Sequence, residues 1–254
     1  MNFLVILRKE LIEQWRTYKV MIVAAVLVVF GLLSPLLAKF TPELLKAVPN
    51  MPAALVQVIP PPTLADAVTQ YVKNMSQFGI LLALLMSMGS VAQEKERGTA
   101  AMLLTRPVSR ETFLLVKFTA QALTFAASLV LAAFGCWYYT LLLFQALDWL
   151  PFLALNGLML IVFLDYIAMS LLCSTLARTQ AAAAGLAFGG LVLLGGASAL
   201  PRLGEYLPGK LFSWGTALLL GGGSEANWPA LWISLGLILV LLLVTVIIFR
   251  RQEL

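Results

Sequence analysis

The chain contains no histidine and only two cysteines, Cys136 and Cys173. Without imidazole, the commonest general base and the commonest transition-metal ligand are both missing. The cysteines fall in separate apolar runs, toward opposite ends. A disulfide between them is therefore disfavoured on geometry, and both read as small buried residues. Charge is scarce too: 11% of the 254 residues are charged, against about 25% in an average soluble domain. So few charges cannot cover a globular surface, so lipid has to cover it.

Familiar reactive patterns are also absent. There is no G-x-x-x-x-G-K-[ST]; Gly209-Lys210 is followed by Leu211, outside any strand–helix context. G-x-S-x-G, H-E-x-x-H and C-x-x-C do not occur. An aspartyl intramembrane protease needs two facing acids, and only Asp165 lies well inside an apolar run. No catalytic residue, metal site or bound cofactor is expected in this chain.

What the chain does have is long apolar stretches. A bilayer-crossing helix needs roughly 20 mostly apolar residues. Runs of that kind place six spans at about 20–38, 74–97, 110–146, 150–177, 180–201 and 226–249. Residues 1–19 precede them. The net charge of +5 then reads as topology, with no nucleic-acid partner. Twelve Lys and Arg fall on the side of the termini and the 94–117 loop, and five on the other. The positive-inside rule puts both termini and that loop in the cytosol, in the plasma or inner membrane. The first apolar run starts late and no A-x-A-like site follows it, so it reads as an uncleaved first span.

Residues 2–18 are helical by period: Leu4, Leu7, Leu11, Trp15 and Tyr18 recur at steps of three and four, opposite Lys9, Glu13 and Arg16. Such a helix can lie in the headgroup layer, or pack on a cytosolic partner. Pro35 is expected to kink the end of span one. An outer loop with six prolines follows, forming either a lid or a structural plug. Thr63 and Asp66 have capping-box spacing, so a helix is expected to start there and run into span two.

The organising stretch is residues 93–117, with eight of the 29 charged residues. Gly98 should end one helix. Thr99 can cap a short apolar helix over 100–104 carrying Met102 and Leu103, Arg106-Pro107 should stop it, and Ser109 can cap span three. An apolar helix between charges, outside the membrane, is a docking surface in waiting.

Three further features stand out. Asp165, with Asn156, lies inside span four, where an acid costs about 3 kcal/mol or more and must face the bundle or water. It either lines a substrate or ion path or joins helices. In span five Ala181, Gly185 and Gly189 form a small-residue stripe, suited to close packing within the bundle or against a second copy. Residues 202–225 are short and half apolar, and are expected to re-enter the outer leaflet as a broken helix.

The run EKERGTAAMLLTRPVSRETFLLVK resembles the cytosolic loop of ABC-2-type transporter permeases. Arg8-Lys9-Glu10-Leu11, Leu176-Ala177-Arg178, Tyr206-Leu207-Pro208 and Phe249-Arg250-Arg251 match weaker marks of that family, and the likeness spans the chain. The resemblance implies an all-α membrane protein of six transmembrane helices, with an N-terminal interfacial helix and a short cytosolic coupling helix between spans two and three. It implies a non-catalytic subunit, two copies of which join two copies of a separate ATPase holding ATP and Mg. Glu94, Glu96, Arg97, Gly98, Thr99, Met102, Leu103 and Arg106 would then form the ATPase-coupling surface, flanked by the N-terminal helix. ATPase closure would tilt the spans as rigid levers, opening a path lined by parts of spans one, two and five, most simply for export. Transmission of motion to an external or periplasmic partner is the second reading, and a proton-coupled carrier using Asp165 the third.

Overall fold

A computed structural model describes residues 3–46, 61–98, 109–222 and 226–252. Thr99, Met102, Leu103, Arg106 and the proposed helix over 100–104 lie outside them, as does most of the proline-rich loop. Among the described residues there is helix and no strand. Helix α1 (Phe3–Arg16) leads into α2 (Lys19–Lys46) through Tyr18, whose φ of 60° makes the turn. Next come α3 (Leu64–Asn74), a π-helical turn (Met75–Gly79), α4 (Ile80–Ser87) and the stub α5 (Ala92–Glu96). The chain continues with α6 (Arg110–Leu143), α7 (Trp149–Leu176), α8 (Gln180–Ser198), α9 (Lys210–Leu220) and α10 (Trp228–Arg251). Among the described residues, six stretches are long and apolar enough to cross a membrane: Lys19–Leu44, Leu64–Glu96, Arg110–Leu143, Trp149–Leu176, Gln180–Ser198 and Trp228–Arg251.

Several local signals act as read. Thr63 and Asp66 close the capping box of α3 in both directions. The Ser109 side chain accepts the amide of Thr112 at the start of α6. Gly98 ends its helix with φ 69°, a left-handed conformation that favours glycine. Residues 202–222 hold a 3-10 turn, Gly204–Tyr206, and then helix α9, which buries Leu211 and Trp214 against the bundle and stops at Gly221, φ 68°.

Span one departs from expectation. Its helix does not end near residue 38 but carries both Pro35 and Pro42 to Lys46. A proline removes one amide donor, and neighbouring helices can offset that loss in a membrane. Here the Asn74 amide donates to Ser34 Oγ at 2.9 Å, tying the proline-bearing turn to α3.

Helix α7 is the axis of the bundle, with α10, α9, α8, α4 and α6 packed around it. Phe152, Leu155, Met159, Phe163 and Ile167 on it are buried, as befits a helix that is apolar on all sides. Helices α2 and α6 lie backbone to backbone: a Cβ on Gly31 would sit 2.4 Å from the Ala132 carbonyl oxygen. Only glycine permits that approach.

Candidate functional site

The two ends of the charged loop, 92–98 and 109–117, meet at one face of the bundle. The ends of α1, α7, α8 and α10 gather there too. Lys117 is 2% exposed, and its ammonium donates to Glu10 on α1 at 3.1 Å and to Glu94 on α5 at 2.6 Å. Lys19 lies within electrostatic reach of the same group. A polar cavity of about 30 Å³ lies beside it, lined in part by Gln14, Lys19, Ser90 and Gln121. That is room for a water molecule among groups able to hold one. A lysine buried in such a place requires carboxylates, because an unpaired charge taken out of water is costly.

The stub α5 is anchored residue by residue. Lys95 donates to the Thr175 carbonyl at the end of α7, and to Gln252 Oε1 at 2.5 Å. Gln252 Nε2 reaches the same Thr175 carbonyl at 3.0 Å. Glu96 accepts the Gln180 backbone amide at 3.0 Å, so a loop carboxylate caps the first turn of α8 together with Thr179. On the other flank, Arg110 donates to the carbonyls of Phe249, Arg250 and Gln252 at 2.9, 3.0 and 2.7 Å. Those carbonyls lie at and just past the end of α10, where helical amide partners run out, and a guanidinium satisfies them. Glu111 pairs with Arg250, and Phe113 stacks on Phe249.

The residues singled out from sequence thus divide. Glu94 faces inward to Lys117. Glu96, Arg97 and Gly98 are exposed at the loop's edge. On α1, Leu4 and Trp15 are exposed and Leu7 and Leu11 half-buried, lining a shallow apolar groove with Arg8 and Ile12. The inward face of α1 is Ile6, Glu10 and Gln14 instead. Gln14 accepts from Thr124 of α6 at 2.7 Å. Lys117 and Glu10 stand in the sequence motifs without an assigned pairing, and Ser174 escaped the sequence reading. A lone lysine between Val116 and Phe118 demands a counter-ion, yet nothing local says which acids supply it.

Away from this face, Asn156 accepts from the Tyr71 hydroxyl at 2.6 Å and donates to the Phe152 carbonyl at 2.8 Å, joining α7 to α3. Asp165 is fully buried, close to the Ser234 hydroxyl of α10, and neither carboxylate oxygen has a hydrogen-bond partner among the described residues. Helix α8 buries Ala183 and Ala187. Its stripe of Ala181, Gly185 and Gly189 is exposed, and a Cβ on either glycine meets nothing within 4 Å. The stripe therefore packs on nothing described in its own chain.

Residues 4–254 match the family model described as "ABC-2 family transporter protein". The chain is also 28% identical over 255 residues to a Bacillus subtilis (strain 168) protein, "Uncharacterized transmembrane protein YxlG", covering 98% of this chain and 97% of that one. With six membrane-length helices among its described residues and a family match over nearly its whole length, the chain belongs to the ABC-2 family of transporter proteins.

Proposed function

We propose that this chain is the membrane subunit of an exporter, two copies of which work with two copies of a separate ATPase subunit. Membership of the ABC-2 family makes it a transporter permease, a role that calls for an ABC ATPase partner. The partner seats on the 94–112 loop, with Glu96, Arg97 and Gly98 at its edge and Thr99, Met102, Leu103 and Arg106 beyond, while α1 flanks it from the headgroup layer. ATP and Mg belong to the partner. The termini and the loop face the cytosol, and the membrane is the plasma or inner membrane.

One observation carries this reading. The residues bordering the loop hold the ends of α1, α6, α7, α8 and α10 through the bonds of Lys95, Glu96, Arg110 and Lys117. A load placed on the loop reaches five helices at once. The partner then acts as a ligand that binds two membrane conformations with different affinity. In that arrangement the exposed α8 stripe is the natural contact with the second copy.

The test is co-expression with an ABC ATPase encoded beside the chain, followed by purification and reconstitution into vesicles. Glu96→Arg, Arg97→Glu and a Met102→Arg variant should each lower recovery of the ATPase. Undiminished recovery in all three rejects the docking site. ATP-dependent movement of a labelled amphipathic solute supports export. An intact complex that moves none favours transmission of motion to an external partner.

A further inference from the structure

The membrane-length stretch Leu64–Glu96 is not one rod. Helix α4 ends at Ser87 and α5 begins at Ala92, and Met88–Val91 is a turn. In an unbroken helix the amides of Val91 and Ala92 would donate to the carbonyls of Ser87 and Met88. Both donate instead to one hydroxyl, Ser174 Oγ on α7, at 3.0 Å each. The Ser87 carbonyl is taken by Ser90, through its amide at 3.0 Å and its hydroxyl at 2.8 Å. Two of the hydrogen bonds that carry stiffness across a helix are thus diverted to a different helix, while the Gln93 amide keeps its bond to the Gly89 carbonyl at 3.1 Å. Ser174 is fully buried, so water does not compete for its hydroxyl. Gly89 sits inside the turn, where a Cβ would lie 3.3 Å from Gln180 Nε2 of α8.

Beyond the turn, the anchors of α5 lead to other helices: Glu94 to Lys117 of α6, Lys95 to Thr175 of α7, Glu96 to Gln180 of α8. We propose that Met88–Val91 is a hinge, and that α5 moves as one body with the inner ends of α7 and α8 rather than as the tip of span two. A push at the loop then tilts α7 and α8, while α3 and α4 hold still. Ser174 is the positioning residue that keeps the hinge open. The proposal rests on the fold alone and stands whether or not an ATPase is the source of the push.

The experiment uses the full-length chain in lipid nanodiscs, with Cys136 and Cys173 replaced by Ala, and pulsed electron–electron distances between paired spin labels. One pair is Arg97 and Arg178, across α5 and the α7–α8 connection; the other is Leu85 and Arg97, across the turn. All three positions are exposed. We expect a single narrow 97–178 distribution and a broader 85–97 distribution. Ser174→Ala frees both amides to pair along the chain, so the 85–97 distribution should sharpen about the 18 Å of a continuous helix, while 97–178 broadens. Gly89→Ala should also sharpen 85–97, because alanine favours helix by about 1 kcal/mol over glycine and the Gln180 tip can move aside. A wild-type 85–97 distribution already sharp near 18 Å overturns the hinge. So do distributions unmoved by both variants.

Discussion

Removing Lys117 takes away the buried cation that Glu10 and Glu94 share. In Lys117→Met the methylene volume stays and the ammonium goes, so the packing of α6 is little changed. Glu10 and Glu94 then face each other, with Lys19 within electrostatic reach. Breaking a buried ion pair by deleting one partner costs about 3–5 kcal/mol. Lys19 offsets part of the repulsion between the two acids, so a loss of about 3 kcal/mol is expected. The assay is denaturant unfolding of purified protein in detergent, followed by near-ultraviolet circular dichroism, for wild type, Lys117→Met and the triple variant Glu10→Gln, Lys117→Met, Glu94→Gln. The triple variant leaves no charge stranded and should recover most of the loss. A Lys117→Met penalty under 1 kcal/mol, or a triple variant no more stable than Lys117→Met, refutes the reasoning.

Three other outcomes are expected. Gly31→Ala drives a methyl into the Ala132 backbone and should cost 1–3 kcal/mol on the same unfolding assay; Gly189→Ala, with open space around it, should leave single-chain stability unchanged and alter only cross-linking between copies. Asp165→Asn keeps the side-chain volume and should retain folding and ATP-driven transport in vesicles; transport lost from a well-folded Asn variant assigns Asp165 to the path. With both native cysteines buried, single cysteines at Arg97 and Gln145 should react with an impermeant maleimide from opposite faces of sealed vesicles, and labelling from one face overturns the topology.

The parts of this fold that are legible in the sequence are the local ones. Thr63 with Asp66, Ser109 and Gly98 act within three residues of the backbone they cap, so their roles need no knowledge of the rest. The six spans are legible for the same reason, since each is a property of its own composition. What escapes is set by contact. Glu10 lies beside residues that alternate as a lipid-facing helix would, and it turns inward because Lys117, 107 residues away, is there to meet it. Pro35 reads as a kink and Pro42 as part of a loop, but both lie inside α2, where Asn74 and Ser34 tie the first of them to α3. The turn at Met88–Val91 has a single glycine as its mark. Its cause is a serine 83 residues further on.

These non-local contacts decide how a force entering at the loop is distributed. If span two were a stiff rod, its inner end could not shift without sweeping the outer end through α2 and α7, against close-packed groups. Gly79 is one such point, where a Cβ would lie 2.4 Å from the Phe163 ring. The outer half of the span is further held by Tyr71 on Asn156 and Asn74 on Ser34. A stationary outer half and a mobile inner end are compatible only if the helix yields between them, and Ser174 supplies the substitute bonds at that point. The same contacts explain why α8 can move at low cost. It buries two alanines and leaves its glycine stripe open, so it rides on α7 with few interlocking side chains. The clip of Glu96 on its first turn is then the shortest route from the loop to the most weakly held span in the bundle.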